Sequence, residues 1–426
     1  MATKSNNPIS QAVILAAGQS SRFWPLNEVH KSLVRIMGKP IIWYTIDSLA
    51  KSGVKEVIIV QGANRAVEKE LAGLQFPKVK VRFIIQERPD GSGDAILKAA
   101  SFLKGRFAVL NAERADFAGN LKALAAMKAE VVLACCETNR PWLYGIIKAE
   151  KNRVLEIVEK PEKGKEPGNL KIVGIYIFNQ ELLQRLAKEE NHPYSLIFAI
   201  NKLAQEGKVA NCKISKQEAF TLKYPWDLFG VRDFIFAKYL SSKKEKGAMV
   251  SKSAQISGKV FIAKGAIIGE NAVIYGPCYI GEGCEISPNN LIRGPVNFEA
   301  LCRTGAFMEI KDCIVGPNSH FHSGYCGNSI IGPDCRLGAG FVSANRRIDR
   351  ANISAVVKGE KIDTKSTYFG FVCGPRTRFG IKASTMPGVL IGSDCVIGSN
   401  TVVRENVEGK KILYTVFEQQ KQDKVG

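Results

Sequence analysis

From Val250 an aliphatic side chain recurs at every sixth position, as Val250, Ile256, Ile262, Ile268, Ile274, Ile280, Ile286 and Ile292. A helical stripe would recur at about 3.6 residues and a half-buried strand at about 2, so the pattern predicts short strands joined by turns and stacked as a β-helix. Four residues after each aliphatic stands Ala254, Val260, Ala266, Ala272, Cys278, Cys284, Asn290 or Val296, which predicts a second, mostly small, inward position. The pattern returns at Ile331, Leu337, Ile391 and Ile397. Two stretches interrupt it, 298–330 and 343–385. Loops that break a regular scaffold are where function is commonly housed.

Upstream the period changes. Strand-like apolar runs at 12–17, 56–61, 79–85, 106–111, 129–135 and 171–178 alternate with helix-like stretches at 39–53, 66–74, 93–104 and 119–128. This predicts an α/β domain over 1–240 with a mainly parallel sheet, ending in a helix near 226–240. The Lys-rich run 241–249 reads as a charged linker, 250–410 as the β-helix and 411–426 as a tail.

Composition narrows the picture. With 426 residues and 45% hydrophobic content the chain can bury two cores. No apolar run reaches the roughly 18–20 residues of a membrane span, and the N-terminus lacks the apolar stretch of a signal peptide, so the expected compartment is the cytoplasm. The eleven cysteines include no C-x-x-C pair. Cys278, Cys284, Cys302, Cys335 and Cys395 fall at the small hexad position, so they are expected as core filling. The net charge of +20 favours anionic partners. The basic residues are spread and lack an aromatic-laced cluster, which argues against nucleic acid.

The first candidate site follows the strand Ala12 to Gly18. Its loop Gln19-Ser20-Ser21-Arg22 can offer backbone N–H groups to phosphates that Arg22 and Lys31 neutralise. Together with Gln86, Gly91-Ser92-Gly93-Asp94-Ala95, Tyr144-Gly145, Glu159-Lys160-Pro161 and Asn169, this segment resembles the sugar-1-phosphate nucleotidylyltransferases. The resemblance implies a Rossmann-like domain in which Leu15, Ala16, Ala17, Gly18, Gln86, Gly91 and Ser92 meet the nucleotide. It assigns Gly145, Glu159, Lys160 and Asn169 to the sugar phosphate, and Arg22 and Lys31 to the triphosphate. It also implies Mg²⁺ on two aspartates, whose positions carry Glu113 and Thr221 here. Glu113 and the nearby Asp227 are the metal candidates.

The second candidate site lies in the first interruption. His322-Ser-Gly-Tyr325-Cys-Gly327-Asn328, with Arg293, Lys311 and Asn345, resembles left-handed β-helix acetyltransferases. The pair of domains is similar to the bifunctional N-acetylglucosamine-1-phosphate uridylyltransferase/glucosamine-1-phosphate acetyltransferase family. That likeness implies His322 as general base, Arg293, Lys311, Tyr325 and Asn345 as sugar-phosphate ligands, acetyl-CoA as acyl donor and a homotrimer. Asn328 replaces the family's Asp, and Ala351 stands where its Lys is expected, with Arg347, Arg350 and Lys358 as alternative charges. The segment Phe371-Val-Cys-Gly374 and the pair Ala383-Ser384 read as walls of an acyl-donor cleft, with core packing the other reading of Phe371. Two functions remain open: a transferase with one or both activities, or a regulatory subunit that binds nucleotide sugars.

Overall fold

The computed structural model describes residues 9–76, 78–215 and 221–421. They form two compact units, the first made of the described residues within 9–20, 29–34 and 39–222, the second of those within 21–28, 35–38 and 223–421. Among the described residues no helix is long and apolar enough to cross a membrane.

The first unit holds a nine-stranded sheet: β1 Gln11–Ala16, β2 Glu56–Gly62, β3 Lys80–Gln86, β4 Phe107–Asn111, β5 Val131–Glu137, β6 Gly145–Glu150, β7 Arg153–Glu159, β8 Leu170–Phe178 and β9 Val209–Lys213. Their order across the sheet is β3-β2-β1-β4-β8-β5-β9-β7-β6. The central strands are apolar on both faces; Val13 and Ile14, for example, are both fully buried. Helices cover both sides, α1 Ile41–Lys51, α2 Ala66–Leu71, α3 Ser92–Ala99, α4 Phe117–Ala126, α5 Gln180–Leu186 and α6 Ser195–Gln205, a burial pattern typical of parallel α/β sheets. The expected mainly parallel sheet is corrected to a mixed one. β3, β2, β1 and β4 run parallel, but β8 is antiparallel to β4 and β5, and β6 and β7 form an antiparallel hairpin. That hairpin is half exposed and interrupted by charges at Lys148, Glu150 and Arg153, so it lacks the apolar run that marks the central strands.

In the second unit the six-residue period becomes three parallel ladders. Ile256 pairs with Ile274, Ile274 with Ile292 and Ile292 with Ile310, so three hexads complete one coil. Ile262, Ile268, Ile274, Ile280, Ile286 and Ile292 are buried, and so are the small partners from Val260 to Val296. Ile256, in the first coil, lacks a full rung beneath it and stays 39% exposed. All eleven cysteines are free and buried, eight of them inside this core.

Four expectations change here. Lys243–Lys244, read as linker, pairs with Phe261 and Ile262 as the first rung. Ile412–Leu413, read as tail, pairs with Val396 and Ile397. The stretch 298–330 does not break the helix, because Arg303 pairs with His320 and Met308 with Gly324. The coil merely loses one or two residues, which destroys the sequence phase without interrupting the ladder. The stretch 343–385 is a true insertion: Ile330 pairs onward with Val372, and a hairpin of Ser354–Val357 and Glu360–Asp363 fills the gap. Phe371 and Ala383 turn into the core with no exposure, so neither is a cleft wall. A helix Leu228–Tyr239 (α7) also belongs to this unit, and its Arg232 is buried beside the coils.

Candidate functional sites

The first unit carries a cavity of about 270 Å³ at the carboxyl ends of β1, β3 and β4, the location favoured for ligands in open α/β sheets. Leu15, Ala17 and Gly18 line it from β1, Gln86 from β3, Asn111 and Glu113 from β4, with His30 and Lys31 opposite and Gly91 and Ser92 at the start of α3. Ala16 packs into the core instead. Gly91 has φ +102°, and a Cβ there would lie 2.6 Å from the Pro193 carbonyl oxygen, so backbone alone fits this wall. Gln86 spends its amide on the same turn, donating to Gly91 O at 3.0 Å and Asp94 Oδ2 at 2.8 Å. Ser20, where the resemblance has a second Gly, keeps a left-handed backbone at φ 51° and accepts the Lys31 N–H.

The charges of the cavity are paired. Lys31 Nζ donates to Glu113 Oε1 at 2.7 Å and to Leu222 O at 2.7 Å. Burial works against the Glu113 charge, yet the Lys31 ammonium and its hydrogen bond prevail and hold the carboxyl below its usual range. Burial and the same ammonium push His30 down to about 4, so its ring is neutral at pH 7. His30 Nδ1 accepts the Ser32 N–H, which leaves the ring proton on Nε2. Thr221 accepts a hydrogen bond from Lys171 Nζ at 2.9 Å, and Lys171 also lies 4.5 Å above the Tyr144 ring. Gly145 and Glu159 are cross-strand partners on the β6–β7 hairpin, with Lys160 ion-paired to Glu159 and Asn169 exposed before β8. These four residues do not line the cavity of about 270 Å³. Arg22 is exposed on the short turn Ser21–Phe23 of the second unit. Asp227 caps its own turn, its Oδ2 accepting the N–H groups of Lys223 and Tyr224 at 2.7 and 2.8 Å.

The second site is built by coil register. Arg293 and Lys311 are ladder partners and therefore project from one sheet face, about 4.8 Å apart along the ladder. Lys311 pairs onward with Gly327, and Tyr325, two residues earlier, shares that face. Arg293 donates to Glu309 Oε1 at 2.7 Å. Asn345 Nδ2 donates to the Tyr325 hydroxyl at 2.9 Å and to Asn328 Oδ1 at 2.7 Å. Burial, helped by the Glu309 carboxylate, raises the Tyr325 pKa, so the phenol stays protonated at neutral pH. His322 is exposed at the corner entering this strand, its backbone N–H bonded to Leu337 O.

Residues 11–228 match the nucleotidyl transferase family, and residues 259–294 match six repeats of the bacterial transferase hexapeptide family. The chain is 33% identical over 410 residues to the bifunctional protein GlmU of Methanococcus maripaludis, covering 95% of this chain and 97% of that protein. It is 30% identical over 413 residues to the bifunctional sugar-1-phosphate nucleotidylyltransferase/acetyltransferase of Sulfurisphaera tokodaii, covering 93% and 98%. The chain belongs to the bifunctional sugar-1-phosphate nucleotidylyltransferase/acetyltransferase family.

Several positions differ from what the resemblance led us to expect. Where a Lys was expected, Ala351 is exposed, and Arg347 is held in a fork by Asp349 while Lys358 bonds Ser21. Arg346 stacks 4.7 Å over the Tyr368 ring that Lys311 also approaches, at 5.1 Å. Sequence reasoning noted the run Asn345-Arg346-Arg347 without giving Arg346 a role, and it missed Tyr368, because 23 residues separate Asn345 from Phe369 and only the fold returns the chain, through the Phe369 N–H to Asn345 O bond. For a metal, Glu113 Oε2 is buried with no hydrogen-bond partner among the described residues. One carboxylate plus substrate phosphates is a usual Mg²⁺ donor set, so the cavity fits such an ion through Glu113 alone.

Proposed function

We propose that the first unit couples a nucleoside triphosphate to a sugar 1-phosphate and that the second acetylates an amino-sugar phosphate from acetyl-CoA, in a cytoplasmic homotrimer. The observation that carries this reading is the full-length likeness, 33% over 95% of the chain, joined to an assembled polar site in each unit. In the first reaction a phosphate oxygen of the sugar attacks the α-phosphorus, the new P–O bond forms, the α–β bridge breaks and pyrophosphate leaves. Gly18, Gly91 and Ser92 line the nucleotide's place, and Lys31 offsets phosphate charge. Glu113 is the residue that would hold Mg²⁺, which when bound would supply further neutralisation of phosphate charge.

In the second reaction the amine nitrogen attacks the thioester carbonyl carbon, His322 takes the amine proton, the C–S bond breaks and coenzyme A leaves as thiol after reprotonation. Arg293, Lys311 and Arg346 hold the phosphate, which displaces Glu309 from Arg293. Gly145, Glu159, Lys160 and Asn169 complete the sugar side of the first reaction.

Pyrophosphate release from UTP or dTTP with several sugar 1-phosphates and Mg²⁺ tests the first activity. Thiol release from acetyl-CoA with glucosamine 1-phosphate tests the second. A second reading, nucleotide-sugar binding without nucleotidyl transfer, is favoured by Thr221, whose hydroxyl meets a lysine where the family has an aspartate. Thiol release without pyrophosphate release, with nucleotide sugar still bound, would establish that reading.

A further inference from the structure

The side chains behind Tyr325 and Asn345 form a chain of hydrogen bonds whose direction can be read from its buried end. Arg232 on α7 is 1% exposed and donates to Asp312 Oδ1 at 2.7 Å, to Asp233 and to the Pro295 carbonyl. An ionised carboxylate only accepts, so Asp312 Oδ2 must receive its next bond from Asn328 Nδ2, 2.5 Å away. That orients the Asn328 amide and leaves its Oδ1 as acceptor. Asn345 Nδ2 fills it at 2.7 Å and gives its other hydrogen to the Tyr325 oxygen at 2.9 Å. Asn345 Oδ1 is then left to accept, and the Tyr325 O–H is left to donate.

The backbone secures both amides. Phe369 N–H binds Asn345 O, and Gly370 N–H binds Asn328 O. At Gly327 any Cβ would lie 2.3 Å from the Tyr325 oxygen, so the close packing of the relay excludes a side chain there.

We propose that Asn328 and Asp312 are positioning residues of the acetyl-transfer site, which set the polarity of Asn345 and Tyr325 and so select an acceptor that presents a donor to Asn345 and an acceptor to Tyr325. An amine or hydroxyl beside a second oxygen on a sugar ring has that chemistry. The replacement of the family's Asp by Asn328 follows from the same geometry. With Asp312 on one side, a second carboxylate at 328 would face a like charge, whereas an amide donates to Asp312 and still accepts from Asn345.

This inference rests on acetyl transfer by the second unit, and the test separates the two. Asn328→Asp should raise KM for the amino-sugar phosphate about tenfold or more while KM for acetyl-CoA stays within about twofold. The exchanged pair Asn328→Asp with Asp312→Asn restores a donor on 312 and an acceptor on 328, so KM should return to within about threefold of the parent. The relay is also read without substrate, by hydrogen exchange of the Asn345 side-chain amide in the full chain. Both its hydrogens are bonded, so exchange should be slow in the parent and the exchanged pair, and faster in Asn328→Asp. Unchanged KM and unchanged exchange in Asn328→Asp, or an exchanged pair no better than the single variant, would overturn the relay. A parent protein that never releases thiol sinks the functional reading, and the exchange measurement still decides the relay.

Discussion

The two sites are assembled by opposite means. In the first unit, strand ends and loop backbone make a cavity whose polar groups are largely turned on one another, Lys31 on Glu113 and Gln86 on its own turn. In the second, side chains separated by a coil of sequence stand on one ladder face, and the relay from Arg232 leaves two of them with unspent hydrogen-bonding capacity. A cavity of paired charges must be opened electrostatically by its ligand, whereas in the site made by register only the Arg293–Glu309 pair must open and the remaining groups are set before the ligand arrives. The first therefore depends on charge balance and the second on the spacing of coils.

The sharpest way to break the comparison is to silence one site and watch the other. We expect His322→Ala to lower the kcat of thiol release by about 10²–10⁴ while pyrophosphate release stays within about twofold. Equal loss of both activities would mean that His322 supports the fold. Lys31→Ala should cut pyrophosphate release by about 10² with thiol release kept, and it should also lower stability by roughly 3 kcal/mol, since Glu113 is left buried and unpaired. Adding Glu113→Gln to Lys31→Ala should recover most of that stability in chemical unfolding but none of the activity.

The ladder itself is tested by removing its core. Ile286→Ala should destabilise the second unit by about 2–5 kcal/mol, whereas Ile256→Ala, at the half-open first coil, should cost under about 1.5 kcal/mol. Comparable losses would show that the first rung is as closed as the rest. The effect confined to acid pH belongs to His30. It titrates at about 4 when folded against 6.5 for the free side chain, so its contribution is complete above pH 6.5 and shrinks as pH falls toward 4. Urea unfolding should show up to about 3 kcal/mol of this loss in the parent and a flatter profile in His30→Asn.

The motif residues of the first site were legible through the family resemblance, because each short strand-end motif keeps its own members adjacent even where the motifs lie far apart in the chain. Leu15, Gly18, Gln86, Gly91 and Ser92 reappear around one cavity. Arg22 and Asp227 belong to the other unit, since proximity in sequence to Lys31 or to Thr221 says nothing about which core a turn joins. Tyr368, Asp312 and Arg232 carried no signal, for each is ordinary in its local stretch and meets its partners only through a neighbour far along the chain.

What the sequence determined by itself was the β-helix and the alternation upstream of it, because each depends on a periodicity that local backbone geometry imposes on burial. Even there a coil shortened by one or two residues hid a continuous ladder, since phase is lost when a turn tightens while the strands still pair. Only the tertiary structure decided the direction of the hydrogen bonds behind Asn345, the reach of Arg346 to Tyr368 and the partner of Glu113. Those depend on distances between side chains that periodicity leaves free, and a hydrogen bond forms or fails within a few tenths of an ångström.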